Sequence, residues 1–129
     1  MRELLYIGLA GALGSVGRYA VSGWAYRVAG EHFPYGTLVV NVIGCFLLGF
    51  LMRLGIESEA VPRELRVAAT VGFLGAFTTF STFGYETMRY IEDGLLGTAA
   101  ANVGAQLLLG LPACWGGMAL ARAWMGAGV

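Results

Sequence analysis

Four long apolar runs divide the chain, separated by short polar stretches and helix breakers. The first extends from about Leu4 to Val28, the second from about Tyr35 to Leu54, after a short loop ended by Pro34. The third covers about Leu65 to Tyr90 and the fourth about Leu95 to Trp124. Each reaches the roughly 20 residues that a helix needs to cross a bilayer. The most polar connection is "GIESEAVPRELR", in which Ser58 reads as a helix cap, Pro62 as a first-turn residue and Glu64 as an acid at a positive helix end. The turn "IEDG" precedes the last run, with Gly94 as the breaker. The pattern predicts an all-α membrane protein, one four-span domain over residues 1–129. The amino terminus resembles a signal peptide in outline, but Glu3 offsets Arg2 and the apolar pattern resumes from Val21, so a retained first span is expected.

Composition agrees with that pattern. Of the 129 residues 57% are hydrophobic and only 12% are charged, with eight basic and eight acidic side chains. The mean hydropathy is +0.69. All the basic residues are arginine, and no cluster of them could follow a phosphate backbone, which argues against a nucleic-acid partner. Arg2, Arg53, Arg63, Arg66 and Arg122 collect on one side of the predicted membrane, against Arg27 and Arg89 on the other. That bias is modest and permits insertion in both orientations. Cys45 and Cys114 lie in apolar runs without metal-ligand spacing and read as small buried hydrophobes; His32 reads as a loop residue. Small residues recur four apart at Gly8 and Ala12, Gly11 and Ser15, Gly72 and Ala76, and Ala101 and Ala105, a spacing that lets helices approach closely in lipid. The 21 glycines are more than four spans need for packing and point to an oligomer.

Polar groups inside spans are expensive and mark function by default. Arg18 lies within the first span and needs an acid, carbonyls or water; pairing with Glu86 and direct contact with an anion are both open. Asn41 stands near the start of the second span, one turn after Thr37, as an interhelical clamp or a neutral donor. The third span contains "GFLGAFTTFSTFGYE". Gly72 and Gly75 weaken helical continuity there, so the third helix is expected to break near its middle and free carbonyls for a cation. Phe80 and Phe83 share a helix face, with Thr78, Ser81 and Thr82 as a hydroxyl ladder beside it. Aromatic ring edges are partially positive, so edges and hydroxyls together could meet an anion; ordinary packing explains two phenylalanines equally well. In the fourth span Asn102 and Gln106 are four apart, either bonding between helices or lining a path, and Pro112 deprives the Leu108 carbonyl of its helical partner and predicts a kink. No P-loop, zinc motif or catalytic set is present, so an enzyme is not expected.

Taken together, "GALGSVGRY", "GTLVVNVIGCFLLG", "GFLGAFTTFSTFGYE" and, more weakly, "NVGAQLLLG" resemble the Fluc (CrcB-type) fluoride channel family from about Gly8 to Gly110. The resemblance implies a dual-topology antiparallel homodimer in a bacterial-type inner membrane, with two fluoride pores and both subunits contributing to each. It implies pore positions at Asn41, Phe80 and Phe83, and hydroxyl contacts at Ser81 and Thr82. It also implies a sodium ion on the dimer axis, held by backbone carbonyls of Gly75 and Thr78. Thr37, Glu86 and Asn102 match polar positions near the pore, and Arg18 is a further lining candidate. Gln106 and Pro112 depart from the family's pattern. A small proton-coupled exporter of cationic drugs is the alternative, but it needs an embedded acid in the first span, where only Glu3 stands at the very end. A non-transporting subunit would leave the clustered donors unexplained.

Overall fold

Helix α1 spans Arg2–Ala29 and ends where Gly30 takes a φ of 95°. After a short loop, Pro34 caps α2, Tyr35–Ser58, as the sequence pattern predicts. The computed structural model describes residues 1–59 and 61–127, without the side chains of residues 56–58 and 127. The third span is a composite. Helix α3, Arg63–Val67, passes into a π-helical segment, Ala68–Leu74, and then into α4, Gly75–Phe77. Two extended residues, Thr78 and Thr79, separate these from α5, Phe80–Glu92. Gly94, at φ 77°, makes the following turn, and α6 runs from Leu96 to Ala127. Four stretches are long and apolar enough to cross a membrane: Arg2–Ala29, Tyr35–Gly55, Arg63–Glu92 and Leu96–Gly126. The chain is a multi-pass membrane protein.

Three local expectations change. Pro62 is the cap residue of α3 rather than part of its first turn. Ser58, whose side chain lies outside the described residues, closes α2 instead of opening the next helix. The glycines do not make the break: Gly72 lies in the π-helical segment and Gly75 has helical dihedrals, while the chain extends only at Thr78 and Thr79. A mid-helix glycine costs only about 1 kcal/mol relative to alanine, too little to open a helix by itself.

Packing is tightest between α2 and α6, and between α1 and the π-helical segment. Asn41 meets Gln106, and eight residues further along each helix Gly49 meets Cys114, so α2 and α6 run in the same direction. A Cβ on Gly49 would collide with the backbone carbonyl of Cys114, and one on Gly117 with that of Phe46. Across the other seam, a Cβ on Gly14 would strike the carbonyl of Phe73. Of the small-residue pairs read from spacing, Gly11 and Gly72 do lie in the α1 contact, whereas Gly8 faces open space. Backbone atoms cannot swing aside, so Gly49→Ala should lower the melting temperature in detergent, by about 1–3 kcal/mol of overpacking. Gly97→Ala, where a Cβ meets nothing within 4 Å, should leave it unchanged.

The interior is small. Among the described residues its buried apolar members are Ala25, Val40, Leu74, Phe77, Ala99 and Ala121, while Leu13, Leu108, Leu111 and Trp124 stand about two-thirds exposed or more. Such surfaces are stable only against lipid or another protein.

Candidate functional site

The break in the third span is held by side chains. Thr79 is the N-cap of α5, its Oγ1 accepting from the backbone N–H of Thr82 at 3.2 Å and donating to Thr82 Oγ1 at 2.9 Å. Its own backbone turns to α2: the Thr79 N–H donates to Asn41 Oδ1 at 2.8 Å, and Asn41 Nδ2 donates to the Thr79 carbonyl at 3.0 Å. In an unbroken helix the Thr79 N–H would serve the Gly75 carbonyl, and the Thr82 N–H the Thr78 carbonyl. Both donors are diverted, which leaves those two carbonyls without their helical partners. Asn41 Nδ2 also donates to Gln106 Oε1 on α6 at 3.2 Å. One amide thereby joins three helices at the break.

A cavity of about 420 Å³ opens beside this junction, with Asn41, Gly75, Thr78, Phe80, Phe83 and Gln106 in its wall. The rings of Phe80 and Phe83 lie 5.6 Å apart at 56°, on one face of α5 as their spacing predicts. The hydroxyl ladder does not form as a set. Thr78 turns its Oγ1 back to the Leu74 carbonyl at 2.9 Å, Thr82 pairs with Thr79, and Ser81 is exposed. The ladder presupposed helical register through Thr78 and Thr79, where the chain is extended.

On the other side of the junction a larger cavity, about 840 Å³, is lined by Arg18 together with Ser15, Ser22, Tyr26, Thr37 and Thr82. Its wall brings two full positive charges, Arg18 and Arg27, among hydroxyls. Arg18 does not pair with Glu86. The Glu86 carboxylate instead accepts from Thr37 Oγ1 at 2.5 Å and from Tyr26 Oη at 3.3 Å. Hydroxyl donors satisfy the acid without bringing a guanidinium across the bundle. Asn102 is fully buried, and its Nδ2 donates to Thr87 Oγ1 at 2.9 Å, which in turn donates to the Phe83 carbonyl at 2.8 Å. The two α6 amides therefore bond to different neighbours, Asn102 to α5 and Gln106 to α2. Tyr26 and Thr87 escaped the sequence reading. Each is a hydroxyl inside an apolar span, the kind of residue that marks Thr37, but no motif singles them out.

A family model described as CrcB-like protein, Camphor Resistance (CrcB) matches residues 5–118, which include the break, both cavities and every residue bonded to Asn41. The chain belongs to this family. A relative from Geobacter metallireducens, 50% identical over 122 residues, covers 95% of this chain and 98% of its own length. Another from Citrifermentans bemidjiense is 51% identical over 123 residues, with 95% and 99% covered. A third, from Dehalococcoides mccartyi, is 48% identical over 111 residues, with 86% and 85% covered. Each of the three is named a fluoride-specific ion channel, FluC. The CrcB-like match thus extends over nearly all of the membrane-spanning chain, so relatives and this protein are comparable span by span.

Proposed function

We propose that this chain is a passive, fluoride-selective channel that lets cytoplasmic fluoride leave a cell down its electrochemical gradient and so confers fluoride resistance. The observation that carries the reading is the half-identity, over 95% of the chain, to proteins named as fluoride-specific channels. The protein is not an enzyme. Fluoride is small and strongly hydrated, so a pore must replace its water with several donors and still release it. Neutral donors suit that task. Phe80 and Phe83 supply ring edges, Ser81 and Thr82 hydroxyls, and the Asn41 junction an amide path. The exposed positions of Phe80 and Ser81 favour a pore completed by a second copy, in an antiparallel homodimer of dual topology with two pores.

The donor set at the break also suits a sodium ion. The Gly75 and Thr78 carbonyls, deprived of their helical N–H partners, are neutral oxygen ligands of the kind a hard monovalent cation takes, and Gly75 and Thr78 would hold it at the dimer axis. Bound there, the ion supplies a fixed positive charge that ties the broken spans together. The cavity of Arg18 serves as the aqueous approach, where the guanidinium gathers anions before the neutral constriction. Thr37, Glu86 and Asn102 hold the helices around that route.

The test is flux from liposomes reconstituted with the purified protein and loaded with potassium fluoride. Adding a potassium ionophore should empty them of fluoride, while chloride-loaded liposomes keep their anion. Comparable chloride efflux, or fluoride efflux no faster than from protein-free liposomes, would refute the channel reading.

A further inference from the structure

Hydrogen-bond direction along the Asn41 junction leads to Gln106 on α6. The Thr79 N–H can only donate, so the atom of Asn41 that faces it must be the carbonyl oxygen. Both amide hydrogens of Asn41 are then engaged, one by the Thr79 carbonyl and one by Gln106. The atom of Gln106 that meets Asn41 must accept, which assigns it as Oε1 and turns Nε2 away. Gln106 Nε2 is buried and has no partner. Polarity that starts at a backbone N–H therefore ends in a buried free donor on a residue that lines the same cavity as Phe80 and Phe83.

Among the described residues one other buried side-chain atom is unpartnered, Asn102 Oδ1. Its orientation is settled in the same way. Thr87 Oγ1 gives its proton to the Phe83 carbonyl and can only accept from Asn102, so the orphan there is an acceptor. An acceptor has nothing to offer an anion. Asn41 has the donors but no free one. Gln106 is the amide left with a hydrogen to give, and the broad terminal torsion of a glutamine lets its planar amide tilt as a unit toward an anion in the cavity.

We propose that Gln106 Nε2 is the amide donor this channel offers to the permeating anion, and that Asn41 is the positioning residue that aims it. The inference rests on the channel reading above. A buried donor without a partner is unfavourable, and an anion entering the cavity relieves it. Position 106 then sets part of the pore's hydrogen-bonding strength, and a chain with a different residue there has a different last donor.

The experiment measures fluoride efflux from liposomes as a function of pH, with protein-free liposomes subtracted at each pH to remove leakage of the undissociated acid. Gln106→Met keeps the length of the side chain and removes the donor. Its efflux should fall about tenfold or more at every pH, as expected for losing a hydrogen bond to a charged group. Gln106→Glu keeps an oxygen for Asn41 but has no donor while ionised. Its efflux should be low at neutral pH and rise as the pH approaches the ordinary glutamic acid range of about 4.3, where the carboxyl regains a hydrogen. A residue that only braced Asn41 would give no such pH profile. Wild-type efflux from Gln106→Met, or a flat profile from Gln106→Glu protein that elutes as the wild type on gel filtration, overturns the proposal. Absence of efflux from the wild type itself would instead overturn the channel reading on which it rests.

Discussion

Replacing either Phe80 or Phe83 by isoleucine should reduce fluoride efflux to the protein-free background while the solubilised particle keeps its size. Both rings stand on α5 immediately after the break, 5.6 Å apart and tilted by 56°. At that angle the hydrogen-bearing edge of each ring points in a different direction, and ring edges are where an aromatic quadrupole is positive. Isoleucine restores most of the volume and none of the quadrupole. Phe80 is 81% exposed within the single chain, so its replacement disturbs little of the packing that holds the four spans together. Loss of transport therefore reports on the ion path rather than on folding. Efflux at the wild-type rate from both variants, by the same fluoride electrode measurement, would remove the rings from the pathway.

The second large effect belongs to Asn41. Its amide makes three hydrogen bonds that close the third span's gap: two with the backbone of Thr79 and one with Gln106. Asn41→Leu strands the N–H and the carbonyl of Thr79, a buried residue, and each unsatisfied group costs about 1–3 kcal/mol. The expected outcome is a clear fall in melting temperature together with loss of efflux. Asn41→Asp distinguishes clamp from bulk. An aspartate still accepts from the Thr79 N–H, but its second oxygen faces the Thr79 carbonyl and Gln106 Oε1, two acceptors that repel it. It should be destabilised despite its matching shape. An unchanged melting temperature in both variants, followed by scanning fluorimetry, would mean that the break holds itself open.

The membrane architecture was legible because it depends on run length and on a few local breakers. Pro34, Gly94 and the polar "GIESEAVPRELR" mark the span ends within a few residues of where they fall. The resemblance, and not any single spacing, grouped Asn41 with Phe80 and Phe83, whereas the place of Gly75 and Thr78 in the same cavity wall is seen only in the fold. The break falls near the middle of the third span as expected, but its cause was misread for a physical reason. Local propensity points to glycine, but the helix opens where side chains offer its backbone better partners, and the decisive partner is 38 residues away on α2. Of the two readings open for Arg18, the pair with Glu86 does not form, for a similar reason. Coulomb attraction is visible in a sequence, whereas the placement of Tyr26 and Thr37 around the acid is a product of folding. Gln106 could be flagged from the chain alone as a polar group inside a span, yet the direction of its amide follows only from the bonds of Asn41 and Thr79.

The interruption at Thr78 and Thr79 has an electrostatic consequence of its own. Peptide dipoles aligned along a helix leave roughly half a positive charge at its N-terminus and half a negative charge at its C-terminus. An unbroken span keeps those ends at the two membrane faces. Here the chain from Arg63 to Phe77 ends, and the 13-residue helix from Phe80 begins, within the span. A negative pole thus adjoins the Gly75–Thr78 carbonyls and a positive pole adjoins Phe80, with two residues between them. In the low-dielectric interior of a bilayer these poles are poorly screened. A single interruption, built without one ionised side chain, provides neighbouring sites of opposite sign.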